Sequence, residues 1–83
     1  MKYPIYSYRD NKAWFGQPVI DNNDESAIRG FSYAINSANG IMSFSPADFD
    51  LYKIGIFDSE KGTVEPINPI ELIVSGSSVY GAK

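Results

Sequence analysis

Asn22-Asn23-Asp24-Glu25-Ser26-Ala27-Ile28-Arg29-Gly30-Phe31-Ser32-Tyr33-Ala34-Ile35-Asn36-Ser37-Ala38-Asn39-Gly40 decides the fold class. Asn22 followed three residues later by Glu25 has the form of a reciprocal capping box, and Asp24 and Glu25 place negative charge at the positive end of a helix dipole. Ala27, Ile28, Phe31, Ala34, Ile35 and Ala38 then recur at i, i+3, i+4, i+7 and i+8, which puts one apolar stripe on a helix. Asn39-Gly40 tolerates the left-handed backbone that stops one. The pattern predicts one amphipathic helix from Asp24 to Ala38, and its narrow stripe needs a sheet to cover it.

On either side the side chains change to aromatic and β-branched types. Tyr3-Pro4-Ile5-Tyr6-Ser7-Tyr8-Arg9 reads as a strand ending in the turn-forming pair Asp10-Asn11. Ala13 to Ile20 reads as a second strand, held to an edge or bulge by Pro18, which has no ladder donor. Beyond the helix, Ser45-Pro46-Ala47-Asp48 combines a capping Ser, a Pro at the first helical position and an acid at the third, so a single helical turn is expected. Alternation in Leu51 to Phe57 places Tyr52, Ile54 and Ile56 inward and Lys53 outward. Asp58 to Gly62 forms a hairpin loop, Thr63 to Glu65 returns antiparallel, and Pro66 and Pro69 break the chain before a last strand, Ile70 to Val74.

The expected architecture is therefore α+β: a small antiparallel sheet of four to five strands with one helix packed across it, as a single domain over residues 1–75. Residues 76–83 are small and polar with two glycines and are expected to form a loose tail apart from Val79 and Tyr80. Open edges on such a small sheet invite pairing with a second copy, so a homo-oligomer is expected.

Eighty-three residues (9.2 kDa) hold one small core. Size scaling allows about 4,900 Å² of folded surface against about 13,300 Å² unfolded, so roughly 63% of the surface is buried. The core draws on 43% apolar residues and on six Tyr, five Phe and one Trp. With no Cys and no His, disulfides, thiolate nucleophiles, iron–sulfur clusters and the commonest zinc ligands and general base are all missing. No glycine pair has the G-x-G spacing of a dinucleotide loop, and no Ser lies in G-x-S-x-G or S-x-x-K. A non-enzymatic chain with no cofactor and no metal is expected. Asp58-x-Glu60-x-Gly62 resembles the start of a calcium loop, but its glycine comes one place early and the twelfth position is Pro69. Asp48 and Asp50 could share a cation on one face, although a capping role for Asp48 explains it more simply. No apolar run reaches membrane-spanning length and Met1-Lys2-Tyr3-Pro4 lacks a signal-peptide core, so a soluble, unexported protein with no membrane partner is expected.

The net charge of −3 disfavours broad phosphate binding, yet it is unevenly spread. In residues 1–30, Lys2, Arg9, Lys12 and Arg29 balance Asp10, Asp21, Asp24 and Glu25; residues 31–83 carry three basic and six acidic side chains. An anion-binding face would therefore come from the first third. There Arg9, Lys12 and Trp14, with Tyr6 and Tyr8 nearby and Arg29 on the helix, are candidates for stacking and phosphate contacts with single-stranded nucleic acid. The competing reading is structural: aromatics in a small sheet are mostly core, and a basic residue beside a turn is mostly solvated.

Tyr6-Ser7-Tyr8-Arg9-Asp10-x-Lys12-Ala13, Ala27-Ile28-Arg29-x-Phe31, Pro46-x-Asp48-Phe49-x-Leu51-Tyr52-x-Ile54-Gly55-x-Phe57-Asp58 and Gly62-Thr63-Val64-x-Pro66 together resemble the small nonstructural protein of microviruses, especially the gokushovirus branch. The likeness runs from about Tyr6 to Gly76, and its most specific part is the Pro46 to Asp58 block. These are tailless phages with circular single-stranded DNA. The resemblance implies a role in the host bacterial cytoplasm, at the switch from duplex replication to single-strand synthesis coupled to packaging. It implies phage or host replication proteins as partners, with direct binding of single-stranded DNA as the alternative. It carries over no catalytic residue. The stretch Trp14-Phe15-Gly16-Gln17-Pro18 departs most from the family pattern, so the resemblance lends Trp14 no binding role.

Overall fold

The computed structural model describes residues 1–37 and 40–81. Its elements are β1 (Lys2–Asp10), β2 (Val19–Ile20), α1 (Asp24–Ile35), α2 (Ile41–Phe44), a 3-10 turn at Pro46–Asp48, β3 (Phe49–Asp58), β4 (Thr63–Ser75) and α3 (Gly76–Val79). The strands form one sheet in the order β2-β1-β3-β4, every neighbouring pair antiparallel. With α1 laid on one face, this is the α+β architecture expected from the sequence.

The helix begins at Asp24 as expected, but its cap is Asn23, one residue later than the capping box implied. Asn23 is extended, and its side chain accepts the Ser26 backbone N–H at 2.8 Å. Ser26 therefore stands at the position a capping box gives to Glu, and Glu25 serves only as first-turn charge. Ala27, Phe31 and Ile35 are the buried stripe. The helix closes at Ile35, where Asn36 turns its amide back to the Ser32 carbonyl at 2.8 Å. Expectations for Ala38 and Asn39 lie outside the described residues. Gly40 has φ −92° and caps the start of α2 instead of providing a left-handed stop.

The core lies between α1 and the sheet, with Tyr6, Phe31, Ile35 and Leu51 sealed from solvent. Tyr8 meets Phe31 edge-on, ring centroids 5.0 Å apart. Four features correct the sequence reading.

The segment from Ala13 is not a continuous strand. Only Val19–Ile20 belong to β2, preceded by an isolated bridge between Arg9 and Phe15. Pro18 and Gly16 interrupt a regular ladder there.

In β3 the expected faces are inverted from Tyr52 to Ile54, while Ile56 lies inward as expected. Phe49 and Leu51 are buried beneath α1, and Lys53 points the same way with its side chain 19% exposed. The register places Tyr6 opposite Lys53 and Ile5 opposite Gly55, so Ile54 is an extra residue that shifts the alternation. Tyr52 and Ile54 thus belong to the opposite, open face, while Ile56 follows Pro4 to the helix side.

The prolines do not split β4 into two strands, although the ladder lapses between Pro66 and Glu71. Thr63–Ser75 is one strand of 13 residues on the sheet edge, and Pro66 pairs with Gly55. An edge strand leaves half its N–H groups unpaired, so proline is tolerated there. Four residues, 67–70, between the Gly55–Pro66 and Lys53–Glu71 pairs loop out against the single Ile54.

The tail is not loose at its start. Gly76 is buried in the α3 turn, and Val79, excepted from the expected loose tail, belongs to the core, whereas Tyr80, also excepted, is exposed. Asn36 Nδ2 donates to the Val79 carbonyl at 3.0 Å, and its Oδ1 accepts from the Gly81 N–H at 2.7 Å. Other expectations match the structure: the turn at Pro46–Asp48 forms, although Ser45 makes no side-chain cap, and Gly62 closes the hairpin loop with φ +69°.

Candidate functional site

Three places gather the chemistry that a protein without Cys or His has available. The first is the end of the sheet where β1 turns back. The Asp10–Trp14 loop is tight: Asp10 N–H donates to the Trp14 carbonyl at 3.0 Å, and Asp10 Oδ1 accepts from the Lys12 N–H at 3.0 Å. It pushes Trp14 into solvent, 78% exposed. Gly16 N–H, bonded to the Tyr8 carbonyl at 2.8 Å, fixes Phe15 alongside Arg9. The Arg9 guanidinium lies 5.2 Å from the Phe15 ring centre, and Phe15 packs edge-on against Tyr52 at 5.6 Å. Arg9 Nε is buried with no hydrogen-bond partner, a cost set against that stacking.

Carboxylates surround these cations. Lys12 Nζ stands 3.7 Å from Asp48, and the Asn11 amide donates to Asp50 at 2.8 Å. Asp10, Asp48 and Asp50 therefore outnumber Arg9 and Lys12 at this end. Of the residues singled out from the sequence, the structure brings Arg9, Lys12 and Trp14 together. It separates Arg29, which is exposed on α1 across the sheet from the Arg9–Phe15 stack. Tyr6 is sealed in the core and Tyr8 is half-buried against Phe31 on the helix side, so neither ring joins the Arg9–Phe15 stack.

The second place was not visible in the sequence, because Lys53 reads as an outward strand residue. The buried Tyr6 hydroxyl donates to Asp24 Oδ1, which also receives Lys53 Nζ at 3.0 Å. Burial, reinforced by Asp24, pushes the Tyr6 phenol well above its ordinary value, and burial also raises Tyr8. The Tyr6 bond, then the Lys53 ammonium, hold the Asp24 carboxyl below its ordinary value. A phenol held neutral and a carboxylate held charged are opposite to what a tyrosine base or an aspartic acid donor would need, and the group joins α1 to β1 and β3 as a clamp. Lys2, Pro4, Glu25 and Ile56 complete a shallow cleft of about 560 Å³ beside it. Among the described residues, no three acidic side chains converge as a metal site would require. Asp58, from the calcium-like motif, accepts the Glu60 and Lys61 backbone N–H groups at 3.0 and 3.3 Å.

The third place is the face of the sheet away from α1. Ile5, Ile20, Ile54, Val64, Pro18 and Pro66 enclose an apolar groove of about 390 Å³ with Gly55 at its floor. A Cβ on Gly55 would stand 2.9 Å from the Glu65 carbonyl oxygen, so the close approach of β4 requires glycine. Val64 is 64% and Ile20 53% exposed on the groove's flanks. Among the described residues, no helix is long and apolar enough to cross a membrane.

Comparison with protein families matches residues 3–79 to the model described as Phage ORF5 protein, and the chain belongs to that family. No curated protein and no solved structure matches it.

Proposed function

With membership of the Phage ORF5 family as the premise, we propose that this is a non-enzymatic nonstructural protein of a gokushovirus-type phage. It works in the host bacterial cytoplasm at the switch from duplex replication to single-strand synthesis and packaging, by contact with phage or host replication proteins. The observation that carries protein contact over DNA contact is the environment of its cations. Lys12 faces Asp48, Arg9 stacks on Phe15, and Arg29 is across the sheet, so these three cations form no continuous track for a phosphate backbone. Deleting the gene from the phage should leave duplex DNA accumulating while packaged single strands fall. Unchanged packaging would remove the proposal.

Direct binding of single-stranded DNA is favoured by one observation, the exposed Trp14 beside the Arg9–Phe15 stack. Titration with circular single strands and with duplex, followed by Trp14 fluorescence and by anisotropy of labelled DNA, separates the two readings. Two phosphate contacts, from Arg9 and Lys12, would give a log–log salt slope of about −1.4. Absence of saturable binding in both readouts excludes this second reading.

A further inference from the structure

We propose that the open face of the sheet is the interface of a symmetric homodimer, with the Val64 and Ile20 flanks of one copy seated against the Gly55 groove of the other. This is independent of the replication role. Three observations lead to it.

The first is surface. The chain exposes 5647 Å², whereas a folded monomer of this mass exposes about 4,900 Å². The excess of about 700 Å² belongs to the whole chain and is of the order of the roughly 800 Å² that each partner contributes to a standard interface; Ile20, Val64 and Leu72, 53%, 64% and 52% exposed, place part of it on the open face. The molecule measures 40 × 25 × 18 Å, so its broad face is large enough to carry such an area.

The second is charge. The groove is lined only by Ile5, Ile20, Ile54, Val64, prolines and Gly55. The register places Arg9 opposite Asp50, so these two charges on the open face share the far end of the sheet. In a twofold contact each residue meets the same surface on its partner, and an uncharged surface is self-complementary without like-charge repulsion. It also lacks a charge pattern with which to select a differently charged partner.

The third is the state of the edges. Sequence reasoning placed self-association at the strand edges, but β2 has two residues and β4 carries Pro66 and Pro69. Both edges are poor templates for another strand. The face, by contrast, offers a contiguous apolar groove through which a second copy can remove apolar surface from water.

Sedimentation velocity on the full chain tests this, with no DNA or replication protein present. The expected wild-type mass at about 100 µM is twice 9.2 kDa. Val64→Lys places like charges on facing surfaces and should weaken the dimer by about 100-fold or more. Ile20→Lys, on the opposite flank, should do the same, so the test survives if one variant fails to fold; circular dichroism checks both. Tyr33→Lys, at a 78% exposed site on α1, should leave the mass unchanged. A wild-type mass of 9.2 kDa throughout, or a dimer indifferent to both groove substitutions, overturns the proposal. A monomer whose groove variants lose capture of a replication protein also overturns it, and assigns the face to that partner instead.

Discussion

Replacing Gly76 by Ala should unlock the C-terminal turn from the core. An added Cβ would lie 2.0 Å from the Pro46 carbonyl oxygen, 2.8 Å from that of Phe49 and 2.9 Å from Ile35 Cδ1. Two of these neighbours are backbone, held by the 3-10 turn and the start of β3, and cannot step aside. The chain can escape by releasing α3, so the cost is capped by what docking contributes. Val79 is 8% exposed, and its burial is worth about 2 kcal/mol. The two Asn36 hydrogen bonds to Val79 and Gly81 add about 1 kcal/mol each. Gly76→Ala should therefore cost about 3–4 kcal/mol, out of a total near 4–12 kcal/mol for a domain of this length. Urea unfolding followed by circular dichroism measures it. A double-mutant cycle identifies the mechanism: Val79→Ala should cost about 1–2 kcal/mol in the wild type and close to nothing once Gly76→Ala has released the turn. A Gly76→Ala protein within about 0.5 kcal/mol of wild type, or a Val79→Ala cost equal in both backgrounds, would refute the docked turn.

The clamp predicts a pH dependence. Asp24 has a lowered folded-state pKa, so its stabilisation is present above the unfolded carboxylate value near 4 and is lost as pH falls through the folded value. Asp24→Asn should thus lower the urea midpoint at pH 7 and have little effect at the acid end; an equal loss at both pH values would rule out the charge as the cause. Tyr6→Phe removes a buried donor to a charged acceptor and should cost about 1.5–3 kcal/mol, measured by the same unfolding assay. Phe31→Ala opens the centre of the core and should cost about 3–5 kcal/mol, enough to leave a thermal transition broad or absent. Trp14→Ala, at an exposed tip, should stay within about 0.5 kcal/mol of wild type, so a larger loss would mean that the indole packs on something.

What was legible in the sequence was local. The acidic first turn and the Ala27, Phe31, Ile35 stripe identify α1, because a helix is made by neighbours three and four residues apart. Gly62 at positive φ and the Pro46 turn were legible for the same reason. The cap moved from Asn22 to Asn23 because both residues have capping side chains, and packing of Ala27, Phe31 and Ile35 on the sheet selects the phase. Of the candidate site, Arg9, Lys12 and Trp14 were found because they share one turn. Arg29 was grouped with them by proximity in sequence, although the helix carries it to the far side of the sheet.

Composition alone removed thiol and imidazole chemistry, and pattern alone established an α+β chain with an amphipathic helix among strands. Tertiary structure decided which way the strands face. Phe49, Leu51 and Lys53 alternate under the helix, and one extra residue at Ile54 brings Ile56 back to that side; alternation read along a single strand says neither which set faces the helix nor where it shifts. It also decided that Pro66 lies within an edge strand and that Gly76 is where the chain re-enters the core. Each of these depends on a partner distant in sequence, Gly55 for Pro66 and the Pro46 carbonyl for Gly76. Capping and periodicity act within a few residues, whereas register and close approach exist only once separated segments have met.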